Sequence, residues 1–392
     1  MFAYMLATLI LFAFAGTVLM LPAFRSDLVD FVRSGRTEDA DLRQVHELIA
    51  RTSIIIPARN EAESLPVLLD SLKAQSIAPR EIVVVDDQSE DDTVDVAERA
   101  CARVVSAGER PKNWLGKPWA VSRGATEARG TYLLFLDADV RLAPTALEGI
   151  GRAVLQSSPN WPEDTTTISV QPYHRTVKPW ERLAFLFNIL VFVGSARRKR
   201  GLQLSMSGSC CFGPCIFCGR KEHSLFGGHR AVKNRVLDDM ELGSAFSGAG
   251  VATRSFSGRG IIEYRMYPSN LRDLLDGFTK NILHGARRSV LLFRVFSVLW
   301  FTGMLAVPPY IIMAAAAGML PELVVALVFY TFFVIQTASA GERLGNFGPL
   351  PAIFFPLHLA VFLFVLLRAV VLALSGRNVR WKGRRLDPES FR

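Results

Sequence analysis

Residues Thr52–Asp87 read TSIIIPARNEAESLPVLLDSLKAQSIAPREIVVVDD. The stretch opens on a short β-branched run closed by Pro57, as expected of a strand buried on both faces of a parallel sheet. Leucines at helical spacing follow, and EIVVVDD, Glu81–Asp87, is a second apolar strand. Strand, helix and strand in this order predict a right-handed crossover between parallel neighbours. The alternation continues downstream. SEDDTVDVAERA starts a helix with acids in its first turn, where the helix dipole favours them. ARVVSA is a third strand, KPWAVSRGATEARG a helix ending at Gly130, and TYLLFLD a fourth strand. The predicted class is α/β with a mainly parallel sheet.

In such open sheets ligands sit outside the carboxyl ends of the strands. Three predicted strands end there in polar clusters: Arg59-Asn60-Glu61, Asp86-Asp87 and Asp137-Ala138-Asp139. A lone D-x-D is more often a turn or a cap. Beside two other strand-end clusters, it reads as a pair of carboxylates facing one cation. Mg²⁺ and Mn²⁺ prefer oxygen ligands and complete their shells with phosphate oxygens and water. Asp86-Asp87 suit a nucleobase imide or a ribose, the alternative being an N-cap from Asp87 or Ser89. Asp91 and Asp92 are expected on a solvated first helical turn. Lys117, in WLGKPWA, reaches a base or phosphate in this picture, and Arg59 and Glu61 close over the base or form a surface ion pair. Further on, GGHRAVKNRVLDDMELGSAF brings Asp238-Asp239 to a loop-to-helix segment. Adjacent carboxylates raise one another's proton affinity, which suits a general base. His174 and His229 are candidates for positioning an acceptor.

Half of the 392 residues are hydrophobic, and they are unevenly placed. Residues 2–23 carry no charge, and a second nearly uncharged block fills most of 295–374, broken by GERLGNFG at Gly341–Gly348. About 20 apolar residues suffice to cross a bilayer as a helix. The first segment lacks the basic start and the small-residue cleavage site of a signal peptide, and its apolar run is longer, so it reads as a retained anchor. Its cationic flank follows it, at Arg25, Arg33 and Arg36, which places the next domain in the cytoplasm. The expected organisation is an anchor over 1–24, a connector over 25–50, an α/β domain over 51–287, a transmembrane region over 288–376 and a basic tail over 377–392.

The net charge of +9 concentrates near the apolar segments: ARRKR at Ala196–Arg200, ARR at Ala286–Arg288 and RNVRWKGRR at Arg377–Arg385. Positive-inside bias and attraction to anionic membrane lipid account for it. No nucleic-acid recognition motif accompanies the charge, so a nucleic-acid partner is not expected. One tension remains. An anchor followed by three full crossings would put the basic tail on the outer face, against the same bias. Either one C-terminal segment is re-entrant or interfacial, or the number of spans differs.

Four of the five cysteines lie in GSCCFGPCIFCGR: Cys210, Cys211, Cys215 and Cys218. Their spacing departs from paired C-x2-C knuckles and their neighbours are Phe, Ile and Gly, so packing is favoured over zinc. WERLAFLFNILVFVG, Trp180–Gly194, is apolar almost all round but short, hence a membrane-surface or buried helix.

Taken together, SIIIPARNEAESLPVLLDSL, EIVVVDDQSEDDT, GKPWA and LFLDADV resemble the nucleotide-binding half of inverting family-2 glycosyltransferases, which have the Rossmann-like GT-A fold. SVQPYH, FGPC, GGH, LGSAF, EYRMYPSN, DGFTKN, ERLGNFG and VRWKGRR extend the likeness to the membrane-bound 4,4'-diaponeurosporenoate glycosyltransferase family of carotenoid (staphyloxanthin) biosynthesis, over about residues 52–386. Hopanoid-associated and ceramide-type lipid glucosyltransferases are similar more distantly. The resemblance implies that Pro57, Ala58, Arg59, Glu61, Asp86, Asp87 and Lys117 hold a UDP-sugar, with Asp137 at the ribose or metal and Asp139 on a Mg²⁺ or Mn²⁺ ion. It implies Asp239 as base with Asp238 beside it, and His174, His229 and Lys280 toward a lipophilic acceptor. It implies transfer of a sugar, glucose by the same resemblance, to that acceptor with inversion at the anomeric carbon. Two departures stand out. The first acid of the base motif is Asp238 where the family has Glu. The Q-x-x-R-W signature of processive synthases is absent, DGFTKN standing in its place, which argues for a single transfer. A different class, a membrane protein that only senses nucleotide sugars, is the alternative to an enzyme.

Overall fold

The structure, a computed structural model, describes residues 2–24, 27–34, 39–195, 197–198, 204–205, 211–235, 238–288, 291–375, 380–381 and 384–385. Cys210 and most of the basic stretches Ala196–Arg200 and Arg377–Arg385 lie outside the described residues. The chain divides into two compact units. One gathers Ser26–Tyr173 and Met206–Arg265; the other gathers Met1–Arg25, His174–Ser205 and Met266–Arg392.

The chain begins with the apolar helix α1 (Phe2–Phe24), which belongs to the second unit. Two short helices, α2 (Leu28–Ser34) and α3 (Asp39–Ala50), then lead into the first unit, which is α/β. Strand β1 (Thr52–Ala58) is followed by α4 (Leu65–Lys73), β2 (Glu81–Asp86), α5 (Thr93–Arg99) and β3 (Arg103–Ser106). Helix α6 (Gly116–Glu127) precedes β4 (Tyr132–Leu136), and α7 (Ala146–Ser157) precedes β5 (Thr167–Gln171). The same sheet takes in β6 (Cys215–Gly219) and β7 (Thr253–Ser257), in the order β7-β5-β6-β4-β1-β2-β3. The neighbours β4-β1-β2-β3 are all parallel, and β6 runs antiparallel to both β4 and β5.

The physical reason for this sheet is visible in its burial. Ile54, Ile55 and Ile56, Val83–Val85 and Tyr132–Leu136 are all buried, so both faces of these strands are covered. Val83, Val85, Ile55, Leu133 and Phe135 form one core with Ala120 and Val121 of α6 and with Ile216 and Cys218 of β6. Cys211, Cys215 and Cys218 are buried free thiols, and burial pushes the Cys215 and Cys218 thiols well up, as in apolar packing residues. Helices α9 (Arg220–Ser224) and α10 (Asp238–Gly248) complete the unit.

The second unit collects α1, α8 (Phe185–Gly194), α11 (Leu271–Arg288), α12 (Leu291–Ala316), α13 (Leu320–Leu344), α14 (Leu350–Ile353) and α15 (Phe355–Leu374). Phe293–Ala316, Leu320–Leu344 and Phe355–Leu372 are long and apolar enough to cross a membrane; the apolar stretch of α1, Leu6–Leu21, is shorter. Helix α8 is buried along Phe185–Ile189, as its all-round apolar sequence requires.

Candidate active site

The carboxyl ends of β1, β2 and β4 lie side by side, and their loops hold one another. In the β1–β2 register Ala58 faces Asp86, and the Asp87 N–H donates to the Ala58 carbonyl at 2.9 Å. Arg59 Nη1 donates to the Asp87 carbonyl at 3.0 Å. The Asn60 N–H donates to Ser89 Oγ, and the Glu90 N–H returns a bond to Asn60 Oδ1 at 2.8 Å. Asp86 Oδ1 accepts the Ser89 N–H at 3.1 Å. Glu61 is tied down at its N–H by Thr93 Oγ1, and its carboxylate accepts the Ser64 hydroxyl.

The N-cap of α5 is Asp92, rather than Asp87 or Ser89. Asp91 precedes that cap, is exposed as expected, and also joins the two loops by accepting the Ala62 N–H at 3.1 Å. Several bonds to Thr93 and Ala62 hold its carboxyl below the usual range against the opposing effect of partial burial.

At the end of β4, the Asp137 N–H donates to the Pro214 carbonyl, and Asp137 itself turns the chain by accepting the Val140 N–H. Lys117, at the start of α6, places its Nζ 2.6 Å from Asp137 Oδ1. Partial desolvation pulls the Lys117 pKa down, but Asp137, Asp238 and Asp239 outweigh it and hold the ammonium above its ordinary value. The Gly213 N–H donates to Asp239 Oδ2 at 2.9 Å. A side chain at Gly213 would place its Cβ 3.1 Å from that oxygen and 3.2 Å from Lys117 Nζ. Lys117, Asp137, Gly213, Asp238 and Asp239 line one small pocket with Pro57 and His229, over an apolar floor of Val121, Phe135 and Ile216. Asp139 is exposed, two residues beyond Asp137.

His229 reaches the pocket through two consecutive left-handed glycines, Gly227 (φ 81°) and Gly228 (φ 58°). A Cβ on Gly228 would stand 2.2 Å from the His223 ring. His223 Nε2 and His229 Nδ1 share a buried hydrogen bond of 2.9 Å, and Phe135 packs against both rings. Burial, with Arg220 nearby, pushes His223 down to about 4. Burial, His223 and Lys117 push His229 well below its ordinary value. Both are neutral imidazoles at pH 7. Sequence reasoning missed Gly213 and His223. The FGPC turn was a signal for the first; nothing short of the fold pairs His223 with His229.

His174 lies in the helical unit, fully buried, with Nδ1 3.0 Å from Asn188 Nδ2 and its ring against Phe347. Burial pushes it down to about 4 against the opposing pull of Glu181 and Asn188. Lys280 lies on α11 of the same unit.

Among the described residues no three His, Cys, Asp or Glu side chains converge as a protein-only metal cage would. The donor set nonetheless fits Mg²⁺ or Mn²⁺. Three carboxylates against one ammonium leave the pocket negative, all its anionic donors are oxygens, and these ions take few protein ligands when phosphate and water supply the rest.

The family model described as "Glycosyl transferase family 2" matches residues 53–158. A 4,4'-diaponeurosporenoate glycosyltransferase of Staphylococcus haemolyticus (strain JCSC1435) is 33% identical over 266 residues, 67% of this chain and 69% of that protein. The chain belongs to glycosyl transferase family 2. A protein of the same name from Staphylococcus aureus (strain USA300) is 29% identical over 351 residues, 86% of this chain and 91% of that one. Among solved structures, a mannosyltransferase from Pyrobaculum calidifontis in complex with GDP-Man and Mn²⁺ has a TM-score of 0.50 at 17% identity, covering 93% of this chain and 98% of its own. That likeness speaks to the fold. The parallel half-sheet β4-β1-β2-β3, with its site at the strand ends, is the GT-A architecture of family 2.

Proposed function

We propose that this family-2 glycosyltransferase moves a glucosyl unit from UDP-glucose to a lipophilic acid of the carotenoid type, with inversion, at the cytoplasmic face of a bacterial membrane. The observation that carries the reading is the single pocket in which Lys117, Asp137, Asp238 and Asp239 meet at the strand ends. The names of the relatives support the acceptor class, and the three long apolar helices support a multi-pass location beside it. Positive charge after α1 supports the cytoplasmic orientation.

In this mechanism the loops after β1 and β2 hold the nucleoside: Pro57, Ala58 and Arg59 on one side, Asp86 and Asp87 on the other, with Glu61 bracing the first loop. Asp137 and Asp139 would hold a divalent cation, which supplies Lewis-acid neutralisation of a departing diphosphate. Lys117 adds a second positive charge at the same place, fixed by Asp137 before substrate arrives, so little reorganisation is needed. Gly213 aims the Asp239 carboxylate through its N–H, and Asp239 takes the proton of a hydroxyl acceptor, with Asp238 beside it. A carboxylic acceptor is already ionised at neutral pH, and then attacks the anomeric carbon directly, opposite the breaking bond to diphosphate. His229, which lines the pocket, is assigned to orienting the acceptor. His174 is buried in side-chain packing and is left out of that role.

The test is to incubate detergent-purified protein with UDP-glucose, Mn²⁺ and a carotenoid acid, and to look for the glucosyl ester by mass spectrometry. Metal-dependent UDP binding without transfer or hydrolysis would overturn the enzyme in favour of a sensor. Transfer only from GDP-mannose would overturn the donor.

A further inference from the structure

Contacts inside the helical unit fix the relative direction of its helices. Trp300 Nε1 donates to Gln336 Oε1 at 3.2 Å, and Gln336 Nε2 donates to the Ala13 carbonyl and to Thr17 Oγ1 at 2.8 and 2.9 Å. About one turn away, a Cβ on Gly303 would touch Phe12 and Phe333 at 2.7 and 2.8 Å. Residue numbers rise together in α1 and α13 and fall in α12. Helices α1 and α13 therefore run one way and α12 the other. The end of α1, the start of α12 and the end of α13 share one face, each about 12–14 Å from the Gln336 level at the rise of an α-helix.

Helix α13 is pinned at that face. The loop after it is held by the Asn346 N–H on the His174 carbonyl at 3.0 Å, and by the Thr176 N–H on Asn346 Oδ1 at 2.5 Å. The chain then turns back into the unit. The Tyr330 hydroxyl donates to the Ile353 carbonyl at 2.6 Å, and the Phe355 ring lies 4.8 Å from Tyr330 and 6.2 Å from Phe333. Tyr330 is about 21 Å along α13 from its end. The turn at α14 is thus deep, within a hydrocarbon core about 30 Å thick.

From there α15 climbs back. Phe362 meets Phe301 at 5.3 Å, a level about 15 Å from the start of α12. Arg368 then pairs with Asp276 and donates to Thr279 Oγ1 at 3.1 Å, both on α11, the amphipathic helix that leads into the start of α12. Phe355, against Tyr330, is thus the deep end of α15, and Arg368 lies toward the shared face. Along α15, Leu357, Phe364, Leu367, Val371 and Leu374 are exposed at helical spacing. They form one apolar stripe that water would not tolerate and acyl chains would.

We propose that residues 345–375 are a re-entrant hairpin that enters and leaves the membrane on the side where α1 ends. Helices α1, α12 and α13 cross the membrane; α15, although long and apolar enough to cross, does not. Its stripe is a surface for lipid acyl chains. The basic stretch Arg377–Arg385 then returns to the side on which Arg25 and Arg33 follow α1, and the conflict with the positive-inside bias disappears. Arg368 stays near the interface beside a carboxylate, where a full crossing would carry it into hydrocarbon at several kcal/mol.

The test is independent of catalysis. Cys101→Ser and Cys210→Ser remove the exposed thiol and the one outside the described residues, and Ala317→Cys, between α12 and α13, or Ser375→Cys, after α15, is then added singly. Each is labelled with a membrane-impermeant maleimide in right-side-out and in inverted vesicles. The two positions should label from opposite sides, with Ser375→Cys on the side of a Ser34→Cys control. Labelling of Ala317→Cys and Ser375→Cys from the same side makes α15 a full crossing and overturns the hairpin.

Discussion

Lys117 Nζ and Asp137 Oδ1 lie 2.6 Å apart, joining the first turn of α6 to the end of β4. The pair brings a cation to the place where leaving-group charge develops, and Asp238 and Asp239 hold that cation protonated. In the proposed mechanism, removing such a prearranged charge costs about 10²–10³ in rate. Lys117→Met is expected to lower kcat/KM by about that factor while the protein still folds and extracts normally. Steady-state kinetics with UDP-glucose decide it, and activity within twofold of wild type removes Lys117 from the chemistry.

Gly213 offers a finer probe of the same pocket. An added methyl meets Asp239 Oδ2 and Lys117 Nζ at 3.1 and 3.2 Å. The two charged ends yield by a few tenths of an ångström, and Asp239 Cβ, also 3.2 Å away, shifts with its carboxylate, so the pocket moves while the fold survives. Misplacement of that order costs about 10²-fold when the groups are reacting ones. Gly213→Ala should keep the thermal midpoint of wild type and lose most of its turnover. Equal losses in both would make Gly213 a structural glycine only.

The strand ends were legible because a strand buried on both faces is written as a continuous apolar run, and its polar stop marks the sheet edge. Thr52–Ala58, Glu81–Asp86 and Tyr132–Leu136 are such strands, and they place Pro57, Asp86 and Asp137. What was hidden depends on distant pairing. CIFCG, Cys215–Gly219, is too short to show a period, and only its antiparallel ladder with β4 makes it a central strand. Gly213 gains its meaning from Asp239, and Asp91 from Ala62, on segments that local sequence does not join. The apolar length of α15 was legible, but its direction depends on partners such as Tyr330 and Asp276.

The acceptor's own chemistry separates the roles of the two acidic motifs. Asp139→Ala should abolish transfer to every acceptor, since a cation holder serves the donor. Asp239→Asn should cost about 10²–10⁴ with a hydroxyl acceptor, the range for a lost general base. With a carboxylic acceptor, ionised at pH 7, the loss should be at least tenfold smaller. Parallel assays of the two variants on a carotenoid acid and on a sterol-like alcohol measure it. Identical losses on both acceptors would remove the base role from Asp239.

The buried imidazoles set a pH dependence of stability. In the folded protein His223 titrates near 4 and His229 well below its ordinary value, against about 6.5 when unfolded. Between those values the unfolded chain binds protons that the folded chain refuses. Stability is therefore full above about pH 6.5 and falls as pH drops toward 4. The thermal midpoint should fall between pH 7.5 and 5, and fall less in His223→Gln, whose amide does not charge. An equal fall in the variant would place the acid sensitivity elsewhere.

The helical unit makes a ranking rather than a single loss. Gln336 is nearly buried and bonds to Trp300, Ala13 and Thr17, so it ties α12 and α1 to α13. Hydrogen bonds between membrane helices are worth about 0.6 kcal/mol on average, because the alternative state also finds partners. Gly16 is different. A Cβ there would stand 2.4 Å from the Trp300 ring, which is fully buried and has nowhere to go. Overpacking of this kind costs about 1–3 kcal/mol. Gly16→Leu should therefore lower the thermal midpoint of the purified protein more than Gln336→Leu does. It should also expose α1 to protease, because the helix separates from α12. The reverse order would mean that polar bonding, not close backbone approach, holds α1 in place.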